Sequence, residues 1–194
     1  MQILRARDHR VMPWKNGGGS TTEIAVFPID SGLDAFDWRV SMATVAADGP
    51  FSTFPNIDRT LSVLSGDGIV LEIEGREAAH LTMQGAPLSF PGDAPTIGRL
   101  VGGPIVDLNV MSRRGRVAHH VVRQASTRPV EIKTAADVTL FLSRSDDLRI
   151  DHLGQHLVLA IDDVIRIEGA GHVVTLAPDT GQEMLCFEIA LTHR

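Results

Sequence analysis

Five residues set into otherwise apolar strand patterns carry most of the chemistry this chain offers: Arg39 and Ser41 in "DWRVSMATV", Asp107 and Asn109 in "PIVDLNVMS", and Arg59 in "DRTLSVLSG". On an extended strand alternate side chains share a face. Trp38, Val40 and Met42 therefore lie on one side, with Arg39, Ser41 and Ala43 on the other. Val106, Leu108 and Val110 oppose Asp107, Asn109 and Met111 in the same way. A polar face in mid-strand is either solvated or turned into a polar lumen, and two such faces in one small barrel, beside a Lys-Asn-Gly loop, bring the lumen level with the solvent face. Asp58 and Arg59 are adjacent, so Arg59 is the lumen candidate and Asp58 reads as turn chemistry.

A carboxylate-bearing small molecule is the ligand such a set suits. A guanidinium presents a planar pair of N–H donors that matches a carboxylate better than an ammonium does, so Arg39 or Arg59 is the anion anchor. Ser41 and Asn109 orient the remainder, and Glu23 or Asp107 can accept from a ligand N–H. The same two acids, Glu23 and Asp107, would be the proton-transfer residues of an enzyme. No Ser-centred elbow, paired-carboxylate motif or activated cysteine accompanies them, so the sequence favours a binder over an enzyme, with a protein-interaction module whose barrel edges pair with another subunit or a regulator ranked third.

The stretch "PWKNGGGSTTEI", residues 13–24, adds a glycine-rich loop. A phosphate loop needs its lysine after the last glycine and a helix beyond it. Here Lys15 precedes the glycines and an alternating strand pattern follows them, so nucleotide binding fails on order and context. Trp14 and Ile24 bracket the loop with apolar anchors, unlike a linker. Gly17, Gly18 and Gly19 read as positions of close backbone approach or positive φ. Lys15, Asn16, Gly17 and Gly18 are accordingly assigned to a pocket mouth, with Glu23 projecting from the following strand.

No metal or other cofactor is expected. His119 and His120 are adjacent and face opposite ways on a strand; His152 and His156 flank Gly154, where a turn is the natural context. The single cysteine, Cys186, lies in the apolar run "MLCFEIA" and reads as a small buried hydrophobe.

These side chains need a frame, and the frame is β. Helical periodicity is scarce, whereas short alternating runs recur between Gly, Pro, Asp and Asn. They are "TTEIAVF", "DWRVSMATV", "RTLSVLSG", "GIVLEIEG", "AAHLTM", "PLSF", "PIVDLNVMS", "VAHHVVR", "VTLFLS", "HLVLAI", "DVIRIEG", "GHVVTLA" and "LCFEIAL". That pattern predicts an all-β sandwich or barrel, with short helices only near "SGLDAF" and "TAADV". The polar, basic stretch "RRGRVAHHVVRQASTRP" marks a boundary: residues 1–116 form a larger barrel and 117–194 a smaller one. "SGDGIVLEIEGREAAHL" and "AIDDVIRIEGAGHVVTL" share a rhythm of acidic turn, apolar strand and glycine hairpin, and read as related β-units.

A net charge of −6 argues against nucleic acid as a partner, because phosphate neutralisation needs a basic field. The run Arg113–Arg116 reads as a solvated turn. No apolar run approaches the length of a spanning helix and the N-terminus has no signal core, so a cytoplasmic protein with no membrane partner is expected.

Four motifs in order, "PWKNGGGSTTEIAVFP", "FDWRVSMATVAADGPFSTFPNIDRTLSVLSGDG", "LSFPGDAP" and "DLNVMSRRG", resemble the HutD/Ves family of cupin-like proteins over residues 11–116, and more weakly beyond. The resemblance implies a cupin-like double β-barrel (a bicupin) with the larger barrel first. It also implies a link to histidine utilisation, in which histidine is degraded through urocanate, and a role in sensing or limiting an intermediate of the urocanate or formylglutamate class. Metal-binding cupins carry His-x-His, a glutamate and a later histidine, none of which stands here. The family also allows a homodimer through sheet contacts.

Overall fold

The computed structural model describes residues 1–14, 19–179 and 181–194. Its strands run in chain order as β1 (Gln2–Leu4), β2 (Arg10–Pro13), β3 (Gly19–Phe27), β4 (Trp38–Val45), β5 (Gly49–Pro50), β6 (Ile57–Ser65), β7 (Ile69–Ile73), β8 (Ala79–Leu81), β9 (Leu88–Pro91) and β10 (Thr96–Leu100). They continue as β11 (Ile105–Arg113), β12 (Val117–Ser126), β13 (Val130–Lys133), β14 (Val138–Ser143), β15 (Leu148–His152), β16 (Gln155–Leu159), β17 (Val164–Glu168), β18 (Val173–Ala177) and β19 (Met184–His193). All thirteen runs read from alternation are strands, and the protein is all-β as expected.

The helices expected near "SGLDAF" and "TAADV" do not form. Residues 33–35 make one turn, closed by the Ala35 N–H to the Gly32 carbonyl. At the second position Thr134 spends its hydroxyl on the Gly169 carbonyl and the His172 N–H. Windows this short cannot recover the cost of helix nucleation. Among the described residues the one helical element is a 3-10 turn at Ala6–Asp8.

The chain folds as two compact units, Arg10–Ala118 and Met1–His9 with His119–Arg194. A boundary that keeps the first residues with the larger barrel therefore departs from the structure at the N-terminus. β1 pairs with β17, and Asp163 fastens the turn after it by accepting from Arg5 Nη1 (2.7 Å) and the Ala6 N–H (2.9 Å).

In the smaller unit a sheet of order β1-β17-β14-β19-β12 faces one of order β13-β18-β15-β16. The space between is filled by ten buried side chains, among them Phe141, Leu148, Ile165, Leu176, Met184 and Cys186. Burial pushes the Cys186 thiol pKa up, as expected for a packing residue. β17 and β18 do not form the expected hairpin. Both edges of β17 are taken, by β1 and β14, so β18 joins the other sheet. His152 and Gln155 flank a two-residue hairpin turn in which Leu153 (φ 50°) and Gly154 (φ 74°) are both left-handed, and His156 pairs across the strands with Asp151.

The larger unit sets the six-stranded sheet β2-β3-β4-β11-β6-β9 against β5-β10-β7-β8. Val45, Leu61, Val63 and Ile105 from the first sheet pack on Ile69, Leu71, Ile73 and Leu81 from the second. A separate cluster of Phe36, Ile57 and Met111, with Val26 and Phe54, closes on the same sheet farther along its strands. Arg113 ends β11 and residues 114–116 form a turn, whose two arginines are paired. Arg114 donates to Asp58, to both oxygens of Asp93 and to the Ile57 carbonyl, while Arg116 bonds Asp37.

Candidate functional site

Between the two apolar clusters of the larger unit, three successive rows across the six-stranded sheet carry polar side chains. One row is Thr21, Ala43, Asp107 and Val63; the next is Glu23, Ser41, Asn109 and Leu61; the third is Val26, Arg39, Met111 and Arg59. A bulge between Glu23 and Ala25 lets one strand contribute to all three. Glu23 pairs with Ser41 and Ala25 with Val40, so Ile24 is the extra residue and the face reverses parity there.

These rows line a cavity of about 920 Å³, within the range of small-molecule sites. Glu23, Arg39, Ser41, Arg59, Asp107 and Asn109 all reach its wall. Lys15, Asn16, Gly17 and Gly18 lie outside the described residues. Their flanks are placed: the Trp14 N–H donates to the Gly19 carbonyl (2.9 Å), and the Trp14 indole N–H to Thr21 Oγ1 (2.8 Å). Gly19 is a close-approach residue, since a Cβ there would stand 2.0 Å from the Thr44 carbonyl oxygen.

The two arginines are buried, Arg39 at 5% and Arg59 at 9% exposure. Glu23 accepts from Arg39 Nε at 2.7 Å. Arg59 donates from Nε (2.7 Å) and from Nη2 to the amide oxygen of Asn109, whose own Nδ2–H donates to Asp107 Oδ1. Phe51 and Phe90 stack on the Arg59 guanidinium, with centroids 4.7 and 5.6 Å away. Burial lowers the Arg59 pKa to about 10, Asp107 opposing and Arg39 adding to the shift, so the group stays charged at neutral pH.

Asp107 is 1% exposed, and its Oδ2 has no hydrogen-bond partner among the described residues. Burial pushes its pKa up to about 7, against the pull of Arg59 and the Asn109 hydrogen bond. Strand alternation thus aims these polar side chains at the cavity, but it does not point to Trp14 and Phe51, which line the same cavity. Thr21 was legible as the residue two before Glu23, whereas Phe51 sits in "GPFSTFP", where nothing local predicts stacking on an arginine.

No imidazole or thiolate is among the described residues that line the cavity, and no three His, Cys, Asp or Glu side chains of the described residues gather as a metal-binding group. Two guanidinium groups beside the carboxylates make a poor donor set for a divalent cation.

A face-to-face antiparallel barrel with a charged, ligand-sized interior defines a cupin-like protein. The fold matches that of a Cupin 2 conserved barrel domain protein from Leptotrichia buccalis, with TM-score 0.57 and 10% identity over 89% of this chain and 88% of that one. The chain belongs to the HutD family, whose model matches residues 6–185.

It is 33% identical to an uncharacterized 21.2 kDa protein in the hutC 3' region of Pseudomonas putida, over 91% of each chain. It is 40% identical to Protein Ves of Citrobacter koseri, over 56% of this chain and 58% of that one. HutD from Pseudomonas fluorescens SBW25 superposes with TM-score 0.80 at 33% identity, covering 100% of this chain and 98% of that structure.

Proposed function

We propose that the larger barrel binds a small carboxylate without a metal, and that the protein senses or limits an intermediate of histidine utilisation of the urocanate or formylglutamate class. The carrying observation is the pair of buried guanidinium groups in one cavity wall, each only partly committed. Glu23 takes the Nε–H of Arg39, and Asn109 takes Nε–H and Nη2–H of Arg59, whose Nη1 has no partner among the described residues. Buried arginines in a cavity of this size favour an anion, because desolvation strengthens a charge-assisted hydrogen bond. The pathway assignment draws on the family and on the hutC neighbourhood in the name of the P. putida relative.

Calorimetric titration of urocanate and of N-formylglutamate, with histidine as control, tests this reading. Saturable binding of one acid, weakened about a hundredfold or more in Arg39→Ala, is the expected result. Failure of both acids to bind overturns it.

Asp107 favours a second reading, in which it transfers a proton on the bound acid, since a pKa of about 7 suits a general acid or base at neutral pH. Following the bound acid by proton NMR separates the two. An acid recovered unchanged, with no exchange of carbon-bound protons in deuterated water, removes the enzyme.

A further inference from the structure

We infer that Asp107 Oδ2 sets the specificity of the cavity: the ligand it accepts is an acid that also carries an N–H donor, and that donor binds Asp107. This rests on the carboxylate-binding reading and narrows its ligand class.

Of the two acids on the polar rows, Glu23 is already paired with Arg39, whereas among the described residues Asp107 keeps one oxygen unpartnered at 1% exposure. A buried acceptor left empty is costly, and proteins retain one where a ligand fills it. The other oxygen is held by the Asn109 amide, and Asn109 is held in turn by Arg59. Asp107 therefore cannot turn its free oxygen away without breaking that chain. Arg59 and Asp107 stand on adjacent strands of the same sheet face, with the Asn109 row between them, and both line the cavity. One ligand can then reach both with its anion and its donor a few bonds apart.

A site built to pair a donor rejects the analogue that lacks it, because the oxygen is then buried with nothing in its place. The charge arrangement agrees. Glu23 offsets Arg39 and ionised Asp107 offsets Arg59, so an added anion is best accompanied by a polarised N–H facing Asp107. An imidazole or amide nitrogen supplies one.

The test compares ligands with and without the donor: urocanate against 3-(2-furyl)acrylate, and N-formylglutamate against N-formyl-N-methylglutamate. In the wild type the N–H member should bind tenfold to a hundredfold more tightly than its partner. Asp107→Asn supplies the second arm. Its carbonyl must keep the bond from Asn109, which places an NH2 where the free acceptor stood and sets donor against donor. The preference should vanish in that variant, whatever the loss of the Asp107 charge does to both members alike, and thermal melting confirms that the variant is folded.

Equal binding of both members of each pair by the wild type overturns this inference and leaves the carboxylate reading intact. Persistence of the preference in Asp107→Asn also overturns it, by placing the discrimination elsewhere. If none of the four acids binds, the carboxylate reading itself falls.

Discussion

Arg59 donates from both Nε and Nη2 to a single atom, the amide oxygen of Asn109. The amide thus stands between a buried cation and the buried carboxylate of Asp107, receiving from one and donating to the other. An aspartate there would have nothing to donate to Asp107, and a leucine would leave both charged groups without this partner. Asn109→Leu is expected to destabilise the protein by about 3 kcal/mol, the scale of stranding charged hydrogen-bonding groups in an interior. Urea denaturation measures it; a loss below about 1 kcal/mol would mean that Arg59 and Asp107 re-pair directly.

The raised pKa of Asp107 gives a pH dependence with a definite sign. Its folded value of about 7 exceeds the ordinary carboxylate value of 3.8, so between these limits the folded protein holds a proton that the unfolded chain has released. Stability from this group is full below pH 3.8 and declines as pH rises toward 7, levelling off above it. Asp107→Asn removes the dependence. The variant's stability relative to wild type should therefore climb from pH 4 to pH 7 and then hold constant, as read by denaturant titrations at each pH. A difference that is flat across this range would place the folded pKa near its ordinary value.

Gly19 has no room for a side chain, with the Thr44 carbonyl oxygen and the Trp14 ring in the way. Gly19→Ala must displace β3 from β4 or tilt Trp14 off the cavity wall. A loss of about 2 kcal/mol is expected, the range for overpacking. Binding of any cavity ligand should weaken as well, because Trp14 lines the cavity. A variant with wild-type melting temperature would show that this hairpin has slack.

At the β15–β16 turn, Leu153 holds a left-handed backbone at 77% exposure, a costly combination for a residue with no contacts to gain. Asn tolerates that conformation and precedes glycine in the favoured two-residue turn. Leu153→Asn should raise stability by about 0.5–1 kcal/mol and leave binding in the other unit unchanged, which thermal melting and calorimetry together check.

Strand parity reached Arg39, Ser41, Asp107 and Asn109 because all four sit within long, regularly alternating strands. Where the alternation was short or interrupted, nothing in the sequence located the strand. β10 carries Gly98, which lies against Ile69 and Phe51, and β5 is a Gly-Pro pair. β1 is only three residues long. Each is defined by the neighbour it pairs with. The same holds for Phe51 over Arg59, a contact between segments whose meeting no local pattern encodes. The pairing of Met1–His9 with the distant C-terminal half was hidden for that reason too.

The bulge at Ile24 makes β3 two half-strands with independent phase. Thr21 and Glu23 address the cavity from one half, while Val26 packs beside Phe36 from the other. For protein engineering this is a modular joint: the ligand-facing half can be rewritten at two positions without repacking the apolar half. Deleting one residue at Ile24 would couple the halves again and rotate one of them out of register.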